Sequence, residues 1–357
     1  MSKVRLGING FGRIGRLVCR IALERSDIEV VAINNPFIDI EYLAYLFKYD
    51  SVHGKYEKSI VVENDELIID NNRIKIYSEP DPINIPWKDH NVDVVCESSG
   101  FFTTTELANK HITCGAKKVV ISAPPKDSTP MYVMGVNHLN YLNENIISNA
   151  SCTTNALAPI VKVINDNFGF VEGLMTTIHA ATSNQLVVDA NSKGGKDWRA
   201  GRSTLNNVIP ASTGAAKACG KVLPEVEGKL TGMAFRVPTA DVSVIDLTCR
   251  IKNKITKDEL VKVLKNAADT DMKGIIGYTD EKVVSTDFIH KSESSIFDID
   301  ASIMLNESYM KIVSWYDNEW GYSNRLVDMC VYISTQDKAK PPPPLIPTPT
   351  PPTSPKI

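Results

Sequence analysis

Apolar positions alternate from the start of the chain. Val4, Leu6 and Ile8 are interleaved with polar neighbours, the period of a strand. From Arg13 to Arg25 the period becomes helical, with Ile14, Leu17, Val18, Ile21 and Ala22 on one side. Residues 28–33, I-E-V-V-A-I, predict a second strand. Strand, helix and strand within about 30 residues make a βαβ unit, and with it a parallel sheet. Apolar runs at 92–96, 118–122 and 145–149 predict further strands. The stretch 58–77 breaks the pattern, with Asn64-Asp65 and Asp70-Asn71-Asn72 marking hairpin-like turns.

Past Ala150 the pattern shifts. A helix is predicted from Cys152 to Asn167, stopping at Gly169. Runs at 173–179, 230–237 and 241–251 alternate like strands covered on one face, which predicts a mixed or antiparallel sheet. Between the first two lies an irregular stretch, 181–204, and a loop of that length is usually functional. A final helix is predicted over 323–334. The expected architecture is α/β: a doubly wound parallel sheet from residues 1–150, completed by 318–335, and an α+β domain from 151–317.

Composition changes this picture at one end. Of 20 prolines, nine fall in the last 17 residues, so residues 336–357 read as a disordered proline-rich tail on a two-domain body. Lys340 precedes Pro341 to Pro344, a basic residue beside P-x-x-P, the form that SH3-type aromatic grooves bind. A solvated extension without a partner is the plainer reading of such a tract. A net charge of −3 and no long basic run argue against nucleic acid as the main partner. No run of about 20 apolar residues predicts a membrane span. The N-terminus lacks the apolar region of a signal peptide. Seven scattered cysteines without C-x-x-C suit free thiols in a reducing, cytoplasmic setting, and no metal site is expected.

Two motifs carry chemistry. Gly10-Phe11-Gly12-Arg13-Ile14-Gly15 is G-x-G-x-x-G after a predicted strand and at the start of a predicted helix, the context of a Rossmann-type dinucleotide site. The helix N-terminus offers N–H groups and a positive dipole end to phosphates. The following strand ends in Ile33-Asn34-Asn35, where a carboxylate would bond the ribose; an amide there leaves NADP open beside NAD. The second motif is S-N-A-S-C-T-T-N, 148–155. Cys152 starts a predicted helix among hydroxyls, which favours the thiolate, while Cys19, Cys96, Cys249 and Cys330 sit in apolar runs. His179 ends a strand-like run and is the candidate base. A nucleotide site with an activated cysteine and a histidine fits thiolate addition to an aldehyde, then oxidation to a thioester.

Longer stretches carry a resemblance: I-N-G-F-G-R-I-G-R (8–16), Y-D-S-V-H-G-K (49–55), S-N-A-S-C-T-T-N (148–155), N-V-I-P-A-S-T-G-A-A-K (207–217), L-T-G-M-A-F-R-V-P-T (230–239) and S-W-Y-D-N-E-W-G-Y-S (314–323). Over residues 1–335 the sequence resembles the phosphorylating glyceraldehyde-3-phosphate dehydrogenases. The resemblance implies oxidation of D-glyceraldehyde 3-phosphate to 1,3-bisphosphoglycerate, with Cys152 as nucleophile and His179 as base. It implies that Gly10, Phe11, Gly12, Arg13, Ile14, Asn35, Ser122 and Asn318 contact NAD. Thr182 and Arg236 match the position for the substrate phosphate, and Ser151, Thr153, Thr213 and Gly214 that for the attacking inorganic phosphate. It implies a homotetramer in which the 181–204 loop meets the neighbouring subunit's cofactor region. Erythrose 4-phosphate is an alternative substrate that needs the same residues, and the tail leaves an added scaffold role open.

Four positions depart from the family pattern. Asn35 replaces the usual Asp, Pro80 stands where a basic residue often lies near the adenine, Ala190-Asn191 replaces a loop proline, and Ala156 replaces a second cysteine. Asn35, Ala190 and Asn191 lie in the direction of family members that accept NADP. Ala156 removes a disulfide partner for an oxidised Cys152.

Overall fold

The computed structural model describes residues 2–339 apart from Lys193 and Lys196. The segment from Lys340 onward, with the groove-binding partner expected for it, lies outside the described residues.

The opening alternation forms β1 (Val4–Asn9), the helical period forms α1 (Arg13–Leu23), and the next apolar run forms β2 (Ile28–Asn34). Then come α2 (Ile40–Lys48), capped by the Asp39 carboxylate on Tyr42 N–H, and a meander of β3 (Ile60–Glu63), β4 (Glu66–Ile69) and β5 (Asn72–Tyr77). β6 (Val94–Glu97), α3 (Thr105–Thr113), β7 (Lys118–Ile121) and β8 (Ile146–Ser148) complete the first sheet and its far face. Its order is β3-β4-β5-β2-β1-β6-β7-β8. The five strands β2, β1, β6, β7 and β8 are parallel, and β5 joins β2 in parallel. The hairpin-like stretch is thus three antiparallel strands that extend this sheet at its edge. β1 lies between β2 and β6, the point where the strand order reverses and a crevice opens at the carboxyl ends.

The second half is built on α4 (Cys152–Phe168), β9 (Phe170–Ala180), β10 (Ile209–Ser212), α5 (Ala215–Val222), β11 (Leu230–Val237), β12 (Ser243–Ile251), α6 (Lys257–Asp269), β13 (Ile276–Thr279), β14 (Ser295–Asn306) and β15 (Tyr309–Tyr316). The sheet order is β10-β11-β9-β12-β15-β14-β13. It is mixed, since β11 pairs with β9, and β13 with β14, in parallel. One face is buried by α4, α5 and α6, whose apolar sides form a single cluster with Met175, Leu247 and Ile312 from the strands.

Several boundaries differ from expectation, β9 for example starting at Phe170 rather than at 173. β12 starts at Ser243, because Val242 takes a left-handed backbone, φ 63°, that ends strand pairing before it. The last helix, α7, runs Trp320–Ala339, longer than predicted at both ends and through the first residues assigned to the tail. It returns to the first sheet, where Leu326, Val327 and Cys330 pack with Val18 and Ile21 of α1. α3 packs on the opposite face beside Trp87 and Val95. No helix among the described residues is long and apolar enough to cross a membrane.

Candidate functional site

The first part of the site is the turn after β1. Gly10 takes φ 89°, and a Cβ there would lie 2.5 Å from Ser99 N, so no side chain fits. A Cβ on Gly15 would come within 2.0 Å of the Gly10 carbonyl oxygen, which lets α1 sit tight on the turn. At Gly12 a Cβ would meet nothing within 4 Å, and no side chain caps α1. The N–H groups at its start are therefore left for a ligand. Beside it opens a cleft of about 460 Å³ lined by Gly10, Gly12, Asn35, Glu79, Pro80 and Phe101 among others. These features fit the pyrophosphate and adenosine parts of a dinucleotide.

The predicted contacts are placed unevenly around this cleft. Asn35 lines it, and its Oδ1 accepts Phe11 N–H at 3.0 Å. That bond turns the amide oxygen inward and leaves the NH₂ as the free donor. Phe11 itself is buried, its ring stacked on Phe47. The Arg13 guanidinium is engaged by Asp50 and Glu319, so only its backbone is available. Ile14 is partly buried in the first turn of α1. Ser122 lies past the end of β7, donates its N–H to the Glu97 carbonyl, and does not line the cleft.

Sequence reasoning missed the network under the turn. Glu97 accepts from Asn9 Nδ2 at 2.5 Å and lies 3.0 Å from His111 Nε2, while Asn9 Oδ1 accepts from Asn34. Trp87 donates to His111 Nδ1, which puts the imidazole proton on Nε2, facing Glu97. Only the fold brings these residues together, from β1, β2, β6, α3 and the short turn Trp87–His90.

The second part of the site is at the start of α4. Ala150 holds φ 55°, and Ser151 caps the helix by accepting Thr154 N–H. Cys152 opens the helix with its Sγ 3.5 Å from His179 Nε2 and 3.9 Å from Thr153 Oγ1. Thr153 is braced by the Tyr316 hydroxyl at 2.9 Å, and the same hydroxyl is 2.8 Å from Thr177 Oγ1. Tyr316, fully buried at the end of β15, lies in the 314–323 stretch that carries the resemblance but was given no role there.

His179 near the end of β9 and Arg236 on β11 are register partners. Arg236 Nη1 lies 2.6 Å from His179 Nδ1 and donates to the Ala180 carbonyl at 3.1 Å. The same carbonyl lies 2.8 Å from Nδ1. An Arg can only donate, so Arg236 needs a lone pair on Nδ1, whereas Ala180 needs a proton there. Burial and the charge of Arg236 push His179 down to about 4, so it is neutral near pH 7. Burial pushes the Cys152 thiol up, although Thr153, Arg236 and backbone N–H groups pull the other way. In the free protein burial outweighs the pull of the helix N-terminus, so the thiolate needs the base expected at His179.

The remaining phosphate-site candidates lie on flanking segments. Thr182, two residues past β9, donates to Gln185 through both N–H and hydroxyl. Thr213 and Gly214 precede α5, Gly214 exposed at its N-cap and Thr213 accepting Ala215 N–H. None of their hydrogen bonds reaches Cys152. Asn318 is buried, its Oδ1 held at 2.6 Å by the Ser243 hydroxyl, which also accepts Ala180 N–H. Ser243 thereby ties the histidine strand to Asn318, a link the sequence did not reveal. Among the described residues, His53, Asp241 and Glu319 approach metal-ligand spacing, within 4.8 Å of one another. Glu319 is already bonded to Arg13 and His53, so the arrangement is an ion-pair network.

Comparison with known sequences agrees with this geometry. The NAD-binding-domain pattern of glyceraldehyde 3-phosphate dehydrogenase matches residues 4–105, and its C-terminal-domain pattern matches 151–318. The chain is 58% identical to glyceraldehyde-3-phosphate dehydrogenase 3 of Caenorhabditis elegans, over 94% of this chain and 100% of that protein. It is 57% identical to the cytosolic glyceraldehyde-3-phosphate dehydrogenase of Gracilaria gracilis, over 94% of this chain and 99% of that protein. It is also 57% identical to the Bacteroides fragilis enzyme of that name, over 93% and 100%.

Proposed function

Since the chain belongs to the glyceraldehyde-3-phosphate dehydrogenase family, we propose that it converts D-glyceraldehyde 3-phosphate, inorganic phosphate and NAD to 1,3-bisphosphoglycerate. The observation that carries this reading is Cys152 Sγ facing His179 Nε2 at 3.5 Å, at the start of α4. The two sheets support a division of labour, with residues 1–150 and 318–335 holding the cofactor and 151–317 the substrate.

The substrate phosphate pairs with Arg236 and Thr182. Drawing the guanidinium toward that anion frees His179 Nδ1 to donate to the Ala180 carbonyl, and Nε2 becomes the acceptor the thiol needs. Cys152 Sγ bonds to the aldehyde carbon as its proton passes to Nε2 and on to the aldehyde oxygen, giving a hemithioacetal and leaving Nε2 free again. The nicotinamide, when bound beside Asn318, supplies the acceptor for the hydride whose loss makes the thioester. His179 holds the hydroxyl proton at that stage. Inorganic phosphate, held by Ser151, Thr153, Thr213 and Gly214, attacks the thioester carbonyl; the C–S bond breaks and Cys152 leaves as thiolate.

NADP is proposed as a second cofactor, supported by the free Asn35 donor. A homotetramer is proposed because the uncovered side of the second half exposes Leu174, Met233, Ile303 and Leu305, and the loop exposes Trp198 at 85%. A cytoplasmic setting is supported by seven free thiols. Cys152→Ser should lose turnover and keep NAD affinity; turnover that persists contradicts the assigned nucleophile.

A further inference from the structure

Beneath Asn318 lies a cluster of ionisable side chains drawn from five stretches of chain. Arg13 opens α1, Asp50 and His53 follow α2, Asp241 precedes β12, His290 precedes β14, and Asp317 and Glu319 join β15 to α7. Arg13 pairs with Asp50 at 2.6 Å and with Glu319. His53 Nε2 is 2.9 Å from Glu319 Oε2 and 3.7 Å from Asp241 Oδ2. The His53 ring stacks on His290, which stacks on Trp320. Four carboxylates thus face one guanidinium and two imidazoles.

Asp241 is the member left without a well-formed hydrogen bond. It is 5% exposed, and neither carboxyl oxygen makes a hydrogen bond of good geometry, His53 Nε2 standing off at 3.7 Å and the Val242 N–H offering only partial compensation. Asp317, by contrast, accepts three N–H groups, from His290, Glu319 and Trp320. A carboxylate can only accept, and the Asp317 side chain within its reach can only accept too. A proton on Asp241 resolves this by turning one acceptor into a donor. Burial, together with the charges of Asp317 and Glu319, moves Asp241 far above the usual carboxylate range. Burial also acts on Glu319, but the His53 and Arg13 hydrogen bonds and charges outweigh it and hold that group down. The next residue, Val242, is β-branched and left-handed, φ 63°, backbone strain at the residue that joins Asp241 to Ser243.

We propose that Asp241 is a proton-carrying positioning residue, whose carboxyl donates a hydrogen bond to the Asp317 carboxylate and so fixes the Asp317–Asn318–Glu319 turn. Two residues on, Ser243 holds Asn318 from the other side. That Asn318 meets the nicotinamide rests on the function proposed above; the proton on Asp241 does not. Folding keeps this proton to a higher pH than the unfolded chain would. The stabilisation is therefore complete at low pH and is lost as pH rises through the raised value. Above it, two adjacent buried carboxylates repel and the turn loosens.

The test is infrared spectroscopy of the full-length enzyme combined with NAD titration across the alkaline range. The wild type at pH 7 should show a protonated-carboxyl C=O stretch that Asp241→Asn lacks. In the wild type alone, that band should fade over the pH range in which NAD affinity falls, by about tenfold per pH unit at most. Asp241→Asn, which keeps a neutral donor, should bind NAD at pH 7 like the wild type and show no alkaline loss. Asp241→Ala should bind more weakly at every pH. A wild type without the band, or an Asn variant with the wild-type pH profile, overturns the proposal. A band that behaves as expected while NAD binding ignores it upholds the proton and overturns the cofactor role of Asn318.

Discussion

Replacing Asn35 by Asp should decide how this pocket treats the two nicotinamide cofactors. The backbone needs no change, because Phe11 N–H already points at the side-chain oxygen at 3.0 Å and would bond a carboxylate more strongly. What changes is the other half of the group, where a neutral NH₂ donor becomes a second charged oxygen. Against the 2′-phosphate of NADP, a new unit charge about 4 Å away is worth about 1 kcal/mol in water and about 4 kcal/mol near a protein surface. That corresponds to a loss of about 5-fold to about 1,000-fold in kcat/KM for NADP, with about 1.4 kcal/mol per tenfold. For NAD the carboxylate gains a ribose hydroxyl and kcat/KM should hold or rise. The cleft already carries Glu79, so Glu79→Gln should shift the ratio the opposite way. The assay is initial rates with each cofactor at saturating aldehyde and phosphate, at two ionic strengths, the effect shrinking as salt rises. A change in the NADP/NAD ratio below about fivefold, or one independent of salt, would refute the electrostatic reading of residue 35.

The other predictions concern the reaction centre. His179→Asn should lower kcat by about 10² to 10⁴ with NAD affinity unchanged, the usual range for a lost general base. Arg236→Gln removes a charge that lowers both the histidine and the thiol. Its His179 should titrate closer to the ordinary imidazole range by NMR, and Cys152 should react more slowly with neutral iodoacetamide. In the unmodified protein that alkylation should climb with pH through the raised thiol value. It should show no inflection between pH 5 and 7, because His179 is already neutral above about 4. Ser243→Ala orphans the Ala180 N–H and frees Asn318 Oδ1, costing about 1–3 kcal/mol of stability and weakening NAD binding.

Local patterns announced those parts of the molecule whose physics is local. Gly10, Gly12 and Gly15 are adjacent in sequence and act on one turn, so motif and context sufficed. Cys152 and His179 stood out because each ends or begins an element beside polar neighbours. The supporting residues were not legible. Tyr316 and Ser243 lie within apolar alternation, and only the register β9–β12–β15 brings them under Thr153 and Asn318. Asp241 drew no notice in the sequence, since its distinction is the acceptors around it, Asp317 and Glu319, contributed by a distant segment of the chain. The balance of forces on Cys152 was only half legible for a related reason. The helix N-terminus is visible in sequence, whereas the burial that opposes it depends on packing from the whole second half.

The proposed reaction depends on Cys152 becoming acylated before phosphate enters, with His179 taking the protons. Mixing the enzyme with NAD and D-glyceraldehyde 3-phosphate in the absence of inorganic phosphate tests it directly. The expected result is a burst of one NADH per subunit, an acyl adduct on the Cys152 peptide by mass spectrometry, and steady turnover only once phosphate is added. Continuous turnover without phosphate, or a full burst with Cys152 unmodified, would contradict it.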